Sequence, residues 1–146
     1  MEIFPPELVY YIFDLADLPV KIALTQLNNY YHDNLQIIDF YDIDEKYRIM
    51  LTDDILQKYP YIKKLNAYNN LKITDEGLKY LNLEMLNVSM KFSSYETVRQ
   101  ITKDGLKHMN LKYFEAKNAG YPLFTFWNEL RKKQLEILKR YYNKKS

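Results

Sequence analysis

The side chains best suited to chemistry are two histidines and a few paired acids, and their spacing argues against most reactions. His32 and His108 lie far apart in the sequence, and cysteine is absent. A Cys/His zinc site needs about four ligands, and a thiolate nucleophile or a disulfide needs cysteine. No Ser–His–acid set can be assembled from these residues. Gly77, Gly105 and Gly120 are isolated, so there is no glycine-rich phosphate loop. Asp53-Asp54 and Asp75-Glu76 have the composition of a cation site. Each pair follows a threonine, however, and negative charge at a helix start is the simpler account. The expectation is a non-catalytic protein without metal or cofactor.

The elements that place these residues are set by a repeat. Residues 73–88 read ITDEGLKYLNLEMLNV and residues 101–116 read ITKDGLKHMNLKYFEA, 28 positions later. A weaker copy, LTDDILQKYPYIKKLNA, occupies 51–67. Each copy ends in an L-x-x-L-x-L-like run: Ile62-x-x-Leu65-x-Ala67, Leu83-x-x-Leu86-x-Val88, Leu111-x-x-Phe114-x-Ala116. Their alternation predicts short strands with one apolar face. An upstream run, Leu35-x-x-Ile38-x-Phe40, is read as a fourth; the run starts are then 27, 21 and 28 residues apart. Thr52, Thr74 and Thr102 are expected to cap the helices that follow. Leu78, Leu81, Leu106 and Met109 should face the strand layer, and Asn70 should bond a turn backbone. Ser93-Ser94-Tyr95-Glu96 fits a capping box and predicts a short extra helix.

These residues resemble the leucine-rich repeats of F-box proteins, whose unit ends in I-T-D-x-G-L; ITDEGL stands at 73–78 and ITKDGL at 101–106. The resemblance covers residues 60–119, and more loosely 35–119. It implies a mixed α/β fold: a solenoid of three or four strand–helix repeats over residues 35–120. The strand positions that point outward would form a concave target-binding face: Lys64, Asn66, Tyr68, Met85, Asn87, Ser89, Tyr113, Glu115 and Lys117.

Ahead of the repeat, residues 1–34 predict three short helices. Pro5 and Pro6 sit at the start of the first, with Leu8, Ile12 and Leu15 on one face and Phe13 alongside. Asp17 is placed to cap the second, and Ile22, Ala23, Gln26, Leu27 and Tyr30 continue a helical stripe. Such a unit must pack on the repeats, on a partner, or on both. Phe4-Pro5-Pro6-Glu7-Leu8, Ile12-Phe13 and Asp17-Leu18, with Leu24, Leu27 and Tyr31, resemble an F-box. F-boxes bind the Skp adaptor of cullin ubiquitin ligases, and the resemblance implies Phe4, Pro5, Leu8, Ile12, Leu18 and Ile22 as contacts. The chain departs from the family in a short link, Asp14-Leu15-Ala16-Asp17, and in having Tyr30-Tyr31 where tryptophan is common.

Residues 121–146 form the C-terminal part. A helix over 124–142, capped by Thr125, should lay Phe126, Leu130, Ile137 and Tyr141 over the last repeat, flanked by Trp127, Leu138 and Tyr142. Its cations, Arg131, Lys132, Lys133, Lys139 and Arg140 with Lys144 and Lys145, allow a nucleic-acid or nuclear-import patch; a solvated helix face is the more economical reading.

Charge divides the chain. Residues 1–45 hold nine acids and one base, whereas residues 46–146 hold twenty bases and ten acids. No apolar run approaches the ~20 residues needed to span a bilayer, and Met1-Glu2 opens no secretory signal. The expectation is an intracellular protein of cytoplasm or nucleus, without membrane or nucleic-acid partners. Lacking cysteine for a thioester and zinc ligands for a RING, it would act in ubiquitination as an adaptor that recruits a target. Its small, AT-rich, repeat-bearing style is similar to F-box proteins of large DNA viruses of protists, which implies an adaptor supplied by the host. The alternative is a leucine-rich-repeat interaction module whose N-terminal helices only cap the array.

Overall fold

The computed structural model describes residues 5–91 and 100–143. It is mixed α/β. Three helices, α1 (Pro6–Leu15), α2 (Leu18–Thr25) and α3 (Asn29–Asn34), precede β1 (Asp39–Phe40). Two short helices follow, α4 (Glu45–Arg48) and α5 (Asp53–Gln57). Then strand and helix alternate: β2 (Lys64–Asn66), α6 (Asp75–Leu78), β3 (Met85–Asn87), α7 (Lys103–Leu106) and β4 (Tyr113–Glu115). The long α8 (Tyr121–Asn143) ends the described chain. The strands form one parallel sheet in the order β1-β2-β3-β4.

The sequence repeat sets the register. Lys64 pairs with Met85 and Met85 with Tyr113, so equivalent residues of successive copies lie side by side. Leu65, Leu86 and Phe114 point into the core, as do Ala67, Val88 and Ala116. Leu78, Leu81 and Leu106 close it from the helix side, and Met109 packs at its margin. Burying a leucine in this way contributes about 1.5–3 kcal/mol. One apolar cluster extends from Val9 and Phe13 of α1, through the strands, to Leu123 of α8.

Each threonine cap forms as expected. The hydroxyls of Thr52, Thr74 and Thr102 accept from the backbone N–H of Ile55, Glu76 and Gly105. The acids beside them do more than offset the helix dipole. Asp53 accepts from the backbone N–H of Thr74 at 2.8 Å and from its hydroxyl at 2.6 Å, and Asp75 holds Thr102 with the same two distances. A side chain at Gly77 would overlap the Asp53 carboxylate, and one at Gly105 the Asp75 carboxylate. The recurring threonine and the aspartate after Thr52 and Thr74 therefore make a ladder between neighbouring units, with glycine at 77 and 105 leaving room for each carboxylate. It stops at α7, where Lys103 takes the aspartate's place and reaches Glu129 of α8 at 3.5 Å instead. Asn70 is buried; its amide donates to the carbonyls of Arg48 and Leu51, and its oxygen accepts from Lys72.

Four expectations are corrected. The upstream run starts two residues later: Phe40 pairs beside Leu65, so Ile37 occupies the place of Ile62, and Ile38 is exposed. A spacing that placed both Ile38 and Phe40 inward shifted the frame by a full side-chain alternation. The stripe from Ile22 to Tyr30 is broken, because Asn28 accepts from Tyr31 N–H and starts a separate helix. Finally, α8 starts at Tyr121 after Gly120, whose φ is 93°, so Thr125 lies inside the helix rather than capping it. Ile137 does not pack either: Leu123 is buried and Phe126, Trp127 and Leu130 are half-buried, but Ile137 is 66% exposed. The capping box at 93–96 lies outside the described residues.

Candidate functional site

Two surfaces carry the residues singled out in the sequence. The first is α1 with α2. Pro5 precedes α1 and Pro6 is its first residue, where a missing N–H costs nothing. Asp17 caps α2 through Val20 N–H at 3.2 Å. α1 buries Val9 and Phe13, four apart, and Lys21 of α2 lies over the Phe13 ring at 5.4 Å. The opposite side of α1 faces solvent: Leu8 is 41% exposed, Ile12 40% and Leu15 71%. Tyr11, Ile12, Leu15 and Val20 adjoin around one shallow depression, and Leu8 lies one turn before Ile12 on the same face.

The five described residues among those implied as adaptor contacts are not brought together. Pro5, Leu8 and Ile12 are exposed along α1. Leu18 and Ile22 line another groove, of about 360 Å³, walled by Phe40, Tyr47, Met50, Leu51, Ile55 and Tyr59. Phe4 lies outside the described residues. Tyr11 and Val20 complete the exposed patch and were absent from the sequence reading. Their signal was present: Leu8, Tyr11, Ile12 and Leu15 follow the 3-4-7 spacing of a helix face.

The second surface is the outward face of the sheet. Lys64, Met85 and Tyr113 form one row across it, and Asn66, Asn87 and Glu115 the next. Many of these side chains are occupied within the chain. Asn66 and Asn87 each accept from the backbone two residues on, at Tyr68 and Ser89. Ser89 is buried, and its hydroxyl accepts from Lys117 N–H. Tyr68 lies under the Arg48 guanidinium at 5.2 Å. Lys64 pairs with Asp39 at 3.0 Å and Lys117 with Glu115 at 2.6 Å, and each carboxylate raises its lysine above the ordinary value.

Tyr41, not singled out in the sequence, closes over this face. Its ring meets that of Tyr113, from the far strand, edge to face with centroids 6.2 Å apart. Burial, and then the neighbouring Tyr113, hold the Tyr41 hydroxyl well above the usual tyrosine range. Tyr41 stands two residues after Asp39, on the same outward side of β1 as the Lys64 row, a placement obscured by the misread register of β1. His108 is exposed in the turn after α7, with Nε2 3.0 Å from the carbonyl oxygen of Leu81.

Among the described residues, no three His, Asp or Glu side chains are grouped to hold a metal ion. No helix among them is long and apolar enough to cross a membrane. No protein-family model, curated protein or solved structure matches the chain.

Proposed function

We propose that this protein is a non-catalytic substrate-recognition adaptor of a Skp–cullin–F-box ubiquitin ligase. Helices α1–α3 form the F-box and dock on the Skp adaptor. The strand–helix units form a short leucine-rich-repeat solenoid, closed at its far end by α8. The face carrying Lys64, Met85, Tyr113 and their neighbours holds a target protein. Catalysis lies with other subunits, and the chain contributes proximity.

The observation that carries the reading is the outward face of α1. A short helix held to the body by Val9 and Phe13 nonetheless presents Leu8, Tyr11, Ile12 and Leu15 to water, beside Val20 of α2. Contiguous exposed apolar surface on a folded protein marks an interaction site. Its position on the helix that carries the Pro-x-Glu-Leu sequence, directly before a repeat of the F-box-associated type, fits the Skp adaptor best.

Titration calorimetry of the full chain against a purified eukaryotic Skp adaptor tests this. Binding with Kd below about 10 µM, about −7 kcal/mol, is expected. It should be abolished by Leu8→Asp with Ile12→Asp, with the helical circular dichroism unchanged. No heat from folded wild-type protein would favour the repeat-only interaction module.

A further inference from the structure

The second groove and the C-terminal half of α8 fit each other, but within one chain they are at opposite ends of the sheet. The groove lies at the β1 end, with Leu18, Ile22, Phe40, Met50, Leu51 and Tyr59 among its walls. Met50 is 62% exposed. The groove is continuous, through Leu18, Pro19 and Tyr47, with a cleft edged by Asp17, Asp39, Asp42 and Asp44 and by one cation, Lys21. Asp39 pairs with Lys64 and Asp44 lies 3.7 Å from Lys46, which leaves Asp42 and Asp17 without an ion pair among the described residues. At the other end, α8 packs on α7 and β4. Its apolar stripe Leu123, Phe126 and Leu130 continues at helical spacing to Ile137, which is left exposed. Lys133 and Arg140 stand beside Ile137 on that side, one turn before and after it, and both are exposed. The end strands are separated by three strand spacings, roughly 14 Å. α8, fixed to β4, cannot turn back to its own groove.

We infer that the protein self-associates, the Ile137 face of α8 from one copy seating in the apolar groove of another, with Lys133 and Arg140 against Asp42 and Asp44. The division of charge along the chain, acidic before residue 46 and basic after it, favours this occupant over an unrelated helix. Because the two faces differ, the contact either pairs two copies reciprocally or extends head to tail. It uses neither Leu8 nor Ile12 and is measured without the adaptor, so its failure and that of adaptor docking are separable.

Sedimentation velocity of the full chain over about 5–200 µM should show mass above the monomer at low salt. The mass should fall toward the monomer at about 0.5 M salt, where the screening length is roughly 4 Å. Met50→Glu and Ile137→Glu, each altering an exposed side chain, should each weaken association at least tenfold while circular dichroism is unchanged. A copy carrying Asp42→Lys and Asp44→Lys should be monomeric alone, as should one carrying Lys133→Glu and Arg140→Glu, and the two should associate when mixed. A wild-type monomer throughout, or association that survives both Met50→Glu and Ile137→Glu, would overturn the proposal.

Discussion

The strand–helix units and the N-terminal helices place similar side chains in opposite ways. In the units, leucines at the repeat positions are buried, and polar groups at the unit edges are bonded to a neighbouring unit: Asp53 to Thr74 and Asp75 to Thr102 in the following one, Asn70 to the carbonyls of Arg48 and Leu51 before it. In α1 and α2, by contrast, Leu8, Ile12, Leu15 and Val20 face solvent, and the cap at Asp17 is local. A region that satisfies itself is a scaffold. A region that leaves apolar side chains uncovered spends no comparable packing energy on the fold, and those side chains remain available for a partner.

The contrast breaks most readily at the core. Leu86→Ala, at the centre of β3, should cost about 2–5 kcal/mol by urea denaturation, whereas Leu15→Ala should change stability by less than about 0.5 kcal/mol. If the two cost the same, the helices are not the uncovered region described above. Next come the ties between units. Gly77→Ala drives a methyl into the Asp53 carboxylate and should cost about 1–3 kcal/mol. Asp75→Ala, which removes both bonds to the exposed Thr102, should cost about 0.5–1.5 kcal/mol. Thr74→Ala removes a helix cap and one end of the tie, for about 1 kcal/mol or slightly more.

The smallest effect depends on pH and concerns the sheet face. The fold holds the Tyr41 hydroxyl above the ordinary tyrosine value of ~10, by burial first and Tyr113 second. Its neutral form is thus favoured in the folded state. That contribution is fully present below about pH 10 and is lost as pH rises through the folded value. Lys64 and Lys117, also raised, act in the same direction. Wild type should lose urea resistance above about pH 10 more steeply than Tyr41→Phe. Parallel decline of both proteins would show that Tyr41 is not held as described.

How much could be read in advance depended on how local each signal was. The strand positions of β2, β3 and β4 and the caps at Thr52, Thr74 and Thr102 were legible because the repeat states them three times and each cap is bonded within its own first turn. The role of Asp53 and Asp75 was half legible: helix-start charge is local, but the bond to the next unit's threonine spans 21 and 27 residues. β1 was misframed because its neighbourhood offers Leu35, Ile37, Ile38 and Phe40, and only pairing with Leu65 selects which of them points inward. Likewise α8 reads as apolar beyond Leu130, and its sequence cannot say that Ile137 is left exposed. The described adaptor candidates separate, Leu18 and Ile22 lining a groove with Phe40, Met50 and Tyr59 while Ile12 borders the depression beside Tyr11 and Val20, because these contacts come from residues distant in sequence, which no motif records.

The proposed docking on the exposed face of α1–α2, with the strand–helix units as the scaffold behind it, is open to direct test. Hydrogen–deuterium exchange of the full chain, alone and with the Skp adaptor, tests it most directly. Slowed exchange over α1 and α2 with β2, β3 and β4 unchanged is the predicted result. Slowing confined to the sheet face, or no change at adaptor concentrations above about 50 µM, would contradict it.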